Sequence, residues 1–365
     1  MSAEATDPRV RDLAHLLVDR CLEVQPGWQV SVRSTPLARP LVQELARAVA
    51  ARGAYFLPRI HWGPDRFRQD FDWALAAPLE LLEELPPIER YAVENEDARL
   101  TIRAPEDVHA GADLPDDRRA LLQKALEPAS ARARSLDVRW GVVQYPTEAA
   151  AEQARMSLAE YEDFVYGACL LDWDAEEERM LAIKERFDAA SSIRIVGEGT
   201  DLTVGVAGRP GIVSSGLRNM PDGEVFYSPV EDTAEGVIAF TEFPAVYLGH
   251  DVEGARLEFR EGRVVAATAA AGEEFLRQML ATDEGASRLG EVGLGCNPRI
   301  TRFTHNVLFD EKMDGTIHLA LGASYTYAGG RNESAIHWDM VKDLRPGGEL
   351  YADDELVQRD GTWLI

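Results

Sequence analysis

The distribution of strand-like and helix-like segments changes near residue 190, and this change limits the possible folds. Before it, strand-like runs such as "GWQVSV" and "RWGVVQYP" alternate with helical patterns, which is typical of βαβ units around a mainly parallel sheet. After it, short β-like runs are separated by Gly, Pro and Asp, and one helical pattern interrupts them at "AGEEFLRQMLA". The sequence therefore predicts an N-terminal α/β domain over residues 1–190 and a β-rich α+β domain over residues 191–365.

The N-terminal helix has a recognisable start signal. In "DPRVRDLAHLLVDRCLEV", Asp7 and Pro8 occupy the positions favoured for an N-cap and for the first helical residue. Apolar residues then follow along one side of the predicted helix: Val10, Leu13, Leu17, Cys21 and Val24. Acidic helical patterns close this half of the chain, through "SLAEYEDFVYGACLL" and "DAEEERMLAIKERFDAA".

The charge balance argues against nucleic-acid binding. The formal net charge is -25 and no run of five basic residues occurs, so we expect no surface that follows a phosphate backbone. No apolar run reaches membrane-spanning length, and "MSAEATDPRV" lacks the charged and apolar regions of a signal peptide. Three cysteines, odd in number and far apart, fit core residues in a reducing compartment: Cys21, Cys169 and Cys296. These patterns predict a cytoplasmic protein with no membrane partner.

Two histidines occupy strand-like sequence near the C-terminus. In "IHWDM", His337 and Asp339 are two positions apart, so a β-strand would present both side chains on one face. In "IHLALGASY", His318 shares a face with Ala320 and Gly322, whose small size leaves space beside the imidazole. The strand with His337 and Asp339 can therefore offer two ligands to one ion.

Two glutamates stand in comparable surroundings. Glu224 follows the Pro-Asp-Gly turn in "NMPDGEVFYSP", and Glu291 lies among small and apolar residues in "RLGEVGLGCNP". Such neighbours leave a carboxylate little water, so each is expected to be paired or coordinated. If these glutamates converge with Asp339, each close carboxylate pair repels by roughly 4 kcal/mol at about 4 Å in an effective dielectric of about 20. Few positive side chains stand nearby in the sequence, so we predict that divalent cations compensate the charge.

The strength of this prediction lies in the set of residues. Taken singly, each is more often a hydrogen-bonded core group or a turn residue than a metal ligand. Together they form a series of Glu, Glu, His, Tyr, His and Asp in small-residue surroundings, with Tyr325 at the end of the His318 strand. Imidazole and carboxylate ligands suit zinc, cobalt, manganese or iron.

Five stretches of the second half carry a family resemblance. They are "GTDLTVGVAGR", "NMPDGEVFYSP", "GEVGLGCNP", "FDEKMDGTIHLALGASY" and "GGRNESAIHWDM". In order and spacing they resemble the thermophilic-aminopeptidase family, which comprises dinuclear metallopeptidases of the aminopeptidase T and aminopeptidase S type. The first half agrees more loosely, through "GWQVSV" and "RWGVVQYPT", so the resemblance covers essentially the whole chain.

The resemblance implies an activity and the ions that support it. The chain is expected to hydrolyse the N-terminal residue from short peptides with a free N-terminus, using water activated by two divalent metal ions. Zinc, cobalt, manganese or magnesium are the expected metals, and the C-terminal domain is the catalytic one. The resemblance also implies a homodimer. The loop from Tyr325 to His337 is shorter than in many members, so the rim of the pocket and the substrate preference are not predicted.

The resemblance also implies a role for each site residue. The expected metal ligands are Glu224, Glu291, His318, Tyr325, His337 and Asp339. The expected catalytic residues are Tyr325 and Glu291, and the position of Glu311 just before the His318 strand adds it as a further candidate. Tyr325 would stabilise an oxyanion or fill an open coordination position, whereas Glu311, in "FDEK", is a candidate general acid or base with a surface-loop role as the alternative.

Two other functions are compatible with the same residues. His318, His337 and Asp339 alone form the two-histidine, one-carboxylate set of a mononuclear non-haem iron ring-cleaving dioxygenase, but such an enzyme does not need Glu224 and Glu291. A second alternative treats the ions as structural, which a closed coordination shell would indicate. Further residues are weaker candidates for the site or its rim: His250, His305, Cys296, Arg209 and Asn332.

Overall fold

The computed structural model describes residues 7–62, 71–111, 114–134 and 136–365. Contacts divide the chain into two units, one with residues up to 171 and residues 216–221, the other with residues 172–215 and 222–365. The domain limits 1–190 and 191–365, which were predicted from the distribution of segments, remain a proposal. Residues 1–6, which open the segment judged to lack a signal peptide, lie outside the described ranges.

The helices lie mainly in the first half of the chain. In chain order they are α1 (Pro8–Leu16), α2 (Arg39–Ala51), α3 (Phe71–Ala76), α4 (Pro87–Asn95), α5 (Asp116–Ala125), α6 (Glu127–Arg134), α7 (Glu148–Gln153), α8 (Leu158–Cys169), α9 (Trp173–Asp188), α10 (Glu273–Leu280) and α11 (Val307–Asp310).

Most of the strands lie in the second half of the chain. They are β1 (Gln29–Ser34), β2 (Tyr55–Ile60), β3 (Ala98–Arg103), β4 (Arg139–Gln144), β5 (Ser192–Gly197), β6 (Thr200–Gly205), β7 (Ile212–Ser214), β8 (Asn219–Met220), β9 (Glu224–Tyr227), β10 (Glu235–Phe240), β11 (Ala245–Tyr247), β12 (His250–Val252), β13 (Ala255–Arg260), β14 (Arg263–Thr268), β15 (Leu289–Gly295), β16 (Thr316–Gly322), β17 (His337–Asp343), β18 (Glu349–Ala352), β19 (Glu355–Arg359) and β20 (Thr362–Trp363).

The first unit is built on a parallel sheet with the strand order β2-β1-β3-β4-β8. Each neighbouring pair in it is parallel, and Val32 of β1 pairs with Pro58 on one side and Leu100 on the other. Helices connect these strands, as parallel pairing requires. The predicted N-terminal α/β domain with a mainly parallel sheet is thereby confirmed.

Helix α1 begins where the sequence predicts. The Asp7 carboxylate accepts a hydrogen bond of 2.9 Å from the backbone N–H of Arg9, and Pro8 holds the first helical position. The predicted apolar side is buried, but the α-helix itself ends at Leu16 and a π-helical turn over Leu17–Cys21 continues it.

The second unit is antiparallel and β-rich, which confirms the predicted character of the C-terminal half. One sheet has the strand order β14-β13-β10-β6-β5-β18-β19-β20, another has the order β17-β16-β15-β9-β7, and β11 pairs with β12. Residues of both larger sheets share one apolar core, among them Ile195, Leu202, Leu257, Leu319 and Trp338.

The sheet with the order β17-β16-β15-β9-β7 has one apolar face and one face that carries charged residues. On β15, Val292 and Leu294 join the core, so Glu291 and Gly293 point to the opposite face. On β16, Leu319 joins the core and His318 points the other way. Because side chains alternate between the two faces along each strand, the charged side chains of neighbouring strands lie together on the face opposite the core. In the described part of the chain no helix has the length and apolar character needed to cross a membrane.

Candidate metal centre

Strand pairing brings the predicted ligands of β15, β16 and β17 together on one face. Ala320 lies between Glu291 and Asp339 in a row across the three strands, and Gly322 pairs with His337. Neither Ala320 nor Gly322 has a side chain long enough to separate the ligands beside it. On the other side of β15, strand β9 adds Glu224 through its pairing with Gly295.

His318 is oriented by the backbone. Its Nδ1 lies 2.9 Å from the backbone carbonyl oxygen of Glu311, which can only accept, so Nδ1 carries the proton and donates. The other ring nitrogen, Nε2, lies 3.2 Å from Glu291 Oε1 and 3.7 Å from Glu224 Oε2. A backbone hydrogen bond that fixes the tautomer in this way is the usual support of a metal-ligating histidine.

His337 is held in the same manner from a different loop. Its Nδ1 donates to the backbone carbonyl oxygen of Ala323 at 2.8 Å. Its Nε2 faces Glu291 Oε2 at 3.4 Å and Asp339 Oδ1 at 3.5 Å. Both histidines thus turn Nε2 towards carboxylate oxygens.

Glu291 belongs to two potential metal sites at once. Among the described residues, ligand atoms within 4.8 Å of one another form two groups, one of Glu224, Glu291 and His318 and one of Glu291, His337 and Asp339. Oε1 of Glu291 lies towards His318 and Oε2 lies towards His337. A carboxylate whose two oxygens face two different histidines is suited to bridge two cations.

The charges of the cluster fit metal binding. Burial raises the pKa of Glu224 to about 8, and its Oε2 is buried with no hydrogen-bond partner among the described residues. Burial alone would lower the pKa of His318, but the hydrogen bond to Glu291 and the nearby carboxylates raise it to about 10. The pKa of His337 is likewise raised well above its ordinary value, against the effect of burial, by Asp339 and Glu291. The carboxylates therefore attract positive charge, and two nitrogens with three carboxylates are suitable ligands for divalent ions.

Tyr325, the remaining predicted ligand, lies beside the ring of His337. Its ring centroid is 5.3 Å from that of His337, and its backbone N–H donates to Ser228 Oγ at 3.3 Å. Burial, reinforced by the charges of Glu291 and Asp339, raises the pKa of the Tyr325 phenol well above its ordinary value. The hydroxyl therefore keeps its proton and can act as a hydrogen-bond donor.

Lys312 is a buried positive side chain beside the carboxylates that the sequence analysis did not single out. Few positive side chains were expected near the carboxylates, yet Lys312 is fully buried, forms an ion pair with Glu311, and has Nζ 3.7 Å from Glu224 Oε1. Burial raises the pKa of Glu311, while Lys312 opposes the shift. Burial opposes the charge of Lys312, but Glu224 and Glu311 raise its pKa and keep it protonated.

Gly293 is a supporting position that the sequence analysis did not single out. It pairs with His318, and a Cβ atom at Gly293 would lie 2.0 Å from Cε1 and 2.2 Å from Nε2 of that histidine. The imidazole lies directly over the glycine, so no larger residue fits there.

The weaker candidates lie outside the two ligand groups. His250 stacks on Phe275 at 4.2 Å between ring centroids, and His305 Nε2 lies 4.0 Å from Asp251 Oδ2. Cys296 is buried and its Sγ donates to Leu294 O at 3.3 Å, as expected of a packed thiol.

Arg209 and Asn332 support the loop between Tyr325 and His337. Arg209 pairs with Glu231 at 2.7 Å, and Glu231 Oε1 accepts the backbone N–H of Arg331 at 2.8 Å. The Asn332 amide donates to the backbone carbonyl oxygens of Gly285, at 2.9 Å, and Gly322, at 2.6 Å. These contacts fix the loop that ends at His337.

Comparison with known proteins places this site in a family context. The sequence model of the thermophilic metalloprotease (M29) family matches residues 6–363. Aminopeptidase AmpS of Bacillus subtilis is 29% identical over 413 aligned positions, covering 97% of this chain and 98% of that protein. Aminopeptidase T of Thermus thermophilus is 27% identical, covering 99% of this chain and 100% of that protein.

Solved structures agree with the sequence comparison. Wild-type AmpT from Thermus thermophilus superposes with a TM-score of 0.82 at 26% identity and covers 99% of this chain and 100% of its own. The 2,5-dihydroxypyridine dioxygenase of Pseudomonas putida KT2440 superposes with a TM-score of 0.62 at 14% identity, covering 99% of this chain and 98% of its own. The second similarity is one of fold alone.

Proposed function

The chain belongs to the thermophilic metalloprotease (M29) family, and on that premise we propose that it is a metal-dependent aminopeptidase. It removes the N-terminal residue from short peptides by hydrolysis at a centre of two divalent ions. Similarity to proteins named aminopeptidases, over 97% of this chain in one case and 99% in another, supports this activity.

One observation supports two ions in preference to one. The oxygens of Glu291 are divided between His318 Nε2 and His337 Nε2, so this carboxylate can bridge two separate ligand sets. Glu224 completes the first set and Asp339 completes the second. When bound, two divalent ions would polarise the scissile carbonyl and lower the pKa of a water molecule.

The remaining chemistry falls to side chains next to the ligands. Tyr325 keeps its phenolic proton and donates a hydrogen bond to the carbonyl oxygen as negative charge develops there. Glu311 is the proposed proton carrier, which takes a proton from the attacking water and returns it to the departing amine. Its burial beside Lys312 is consistent with a carboxyl group that exchanges protons within the site.

Several finer features belong to the same proposal. The metals are zinc, cobalt, manganese or magnesium, because imidazole and carboxylate ligands accommodate these ions. The protein acts as a homodimer in the cytoplasm, where the buried thiols of Cys21, Cys169 and Cys296 remain reduced.

The dioxygenase alternative is less well supported by the site. Among the described residues, His318 belongs to one group of ligand atoms, and His337 with Asp339 belongs to the other. Glu291 belongs to both groups. A single iron bound by the two histidines and Asp339 would leave Glu224 Oε2 buried and with no hydrogen-bond partner in the described part of the chain. The similarity to the dioxygenase structure, at 14% identity, is in fold only.

A chelator-treated protein tests the activity directly. A dipeptide with a free amine and its N-acetylated form are assayed with zinc, cobalt, manganese, magnesium or iron restored in turn. Metal-dependent cleavage of the free-amine peptide alone is the expected result. No cleavage with any metal, or equal cleavage of both peptides, would overturn the proposal, and oxygen uptake with a dihydroxylated aromatic ring would then test the dioxygenase alternative.

A further inference from the structure

We propose that Lys312 is a positioning residue that holds one oxygen of Glu224 and leaves the other for an ion. This inference rests on the proposed dinuclear site, because it concerns the ligand set of Glu224, Glu291 and His318. Lys312 makes the two ion positions unequal, because its fixed positive charge lies beside one of them.

The burial of Lys312 calls for a specific explanation. The residue is 0% exposed, and an ammonium group in such surroundings must be paired. Its ion pair with the adjacent Glu311 satisfies part of this requirement. Its Nζ also lies 3.7 Å from Glu224 Oε1, so the charge of this turn residue is shared with a proposed metal ligand on β9.

The orientation of Glu224 follows from this contact. Oε1 faces Lys312, whereas Oε2 lies 3.7 Å from His318 Nε2 and has no hydrogen-bond partner among the described residues. One oxygen is therefore occupied by a cation that the chain itself supplies. The other remains available to an ion shared with His318 and Glu291.

The backbone around Lys312 positions a second member of the same set. The carbonyl oxygen of Glu311 accepts the Nδ1 proton of His318 at 2.9 Å. The N–H of Lys312 donates to Phe309 O at 2.9 Å, and its carbonyl oxygen accepts from the N–H of Asn297 at 2.8 Å. A single anchored turn thus orients Glu224 through a side chain and His318 through the backbone.

The second ligand set has a different support. His337 is oriented by Ala323 O, and within the described residues no lysine or arginine nitrogen lies within 4.0 Å of Asp339 or Glu291. Loss of Lys312 removes the group that orients Glu224, so it should weaken binding at the ion position of Glu224 more than at the other.

A cobalt titration of the chelator-treated full-length protein separates the two positions. Absorption of bound Co²⁺ and calorimetry give the number of ions and the affinity of each for wild type, Lys312→Met, Lys312→Arg and Lys342→Met. Lys342 is the matched control, because it is also fully buried in the same unit but pairs with Glu242, at 2.6 Å, away from the ligand sets.

The expected result is a selective loss of affinity for one ion when Lys312 is replaced. Lys342→Met binds two ions with the affinities of the wild type. Lys312→Met keeps the wild-type affinity for one ion and binds the second at least about tenfold more weakly than the wild type does. Lys312→Arg recovers part of the loss because it restores a cationic partner for Glu224 Oε1. Unchanged binding in Lys312→Met, tighter binding, or equal weakening of both ions would overturn the role of Lys312.

Two further outcomes are distinguishable from these. If near-UV circular dichroism shows that Lys312→Met does not fold, Lys312→Gln is judged by the same titration and the same criterion. Failure of both variants to fold while Lys342→Met folds would make Lys312 a purely structural residue and overturn the inference. A wild-type protein that binds fewer than two ions would count against the proposed dinuclear function itself.

Discussion

Gly293 lies directly opposite His318 across two paired strands, and a methyl group on it would come within 2.0 Å of the imidazole. The strand on which it stands is buried along its whole length, so the backbone cannot move aside without disturbing its neighbours. The space for a metal ligand is therefore provided by the absence of a side chain on the adjacent strand.

The first prediction concerns this close contact. Gly293→Ala should displace His318, weaken metal binding by about 10–100-fold and reduce activity accordingly, with a loss of about 1–3 kcal/mol in the free energy of unfolding. Calorimetric metal titration and chemical denaturation measure the two effects. Gly197→Ala is the control, because its Cβ would meet Lys342 Cε at an ordinary 3.5 Å. Equal metal affinity in both variants would show that His318 does not depend on Gly293.

The second prediction follows from the divided oxygens of Glu291. Glu291→Gln should weaken the binding of both ions, since the carboxylate faces His318 with one oxygen and His337 with the other. Glu224→Gln should weaken only the ion on the His318 side, because Glu224 belongs to one ligand set. The number of zinc ions retained after dialysis distinguishes the variants. The bridging role of Glu291 would be wrong if both variants lost the same single ion.

The sequence predicts the fold class because local patterns and global arrangement agree in this chain. The Asp7-Pro8 start of α1 and the alternation of strands and helices require only local information. The strand order β17-β16-β15-β9-β7 is different, because its register depends on pairings between distant segments. The spacing of His337 and Asp339 indicates a shared face but not which residues of other strands complete it.

Lys312 and Gly293 show why part of the site was missed. In "FDEKMDG" the charged residues suggest a surface loop, yet Lys312 is fully buried, between its neighbour Glu311 and the sequence-distant Glu224. Gly293 is one of several glycines in "GEVGLG", and only its pairing with His318 distinguishes it from the others. Both features arise from tertiary contacts, so a single sequence does not reveal them.

The third prediction tests the hydroxyl group of Tyr325. Tyr325→Phe should lower kcat by about 10²–10³-fold with little change in KM, because the hydrogen bond forms to charge that develops in the transition state. The ring remains against His337, so metal content should not change. Tyr327→Phe, whose ring centroid is 5.2 Å from that of Tyr325, serves as the control and should keep kcat within a small factor of wild type. A similar loss in both variants would point to general disturbance of the aromatic cluster.

The fourth prediction concerns Asp283, which anchors the segment that leads into His337. Its Oδ1 accepts the N–H groups of Gly285 and Ala286, at 3.0 and 2.9 Å, and its Oδ2 accepts from Ser334 Oγ at 3.0 Å and Ala335 N at 2.7 Å. Burial alone would raise the pKa of Asp283, but these hydrogen bonds hold it below its ordinary value. Asp283→Ala leaves the four donors without this acceptor, which should cost about 1–3 kcal/mol of the free energy of unfolding at neutral pH.

The pH dependence of this loss distinguishes the charged acceptor from simple packing. Because the folded pKa of Asp283 is depressed, its stabilisation is complete above the unfolded value of about 3.9 and disappears as the pH falls through the folded pKa. The stability difference between wild type and Asp283→Ala should thus be constant from about pH 8 to 5 and narrow below about pH 4. Urea denaturation across this range measures it, with the exposed Asp354→Ala as the control that should stay within about 0.5 kcal/mol of wild type. A difference that does not narrow on acidification would mean that Asp283 acts through its shape and not through its charge.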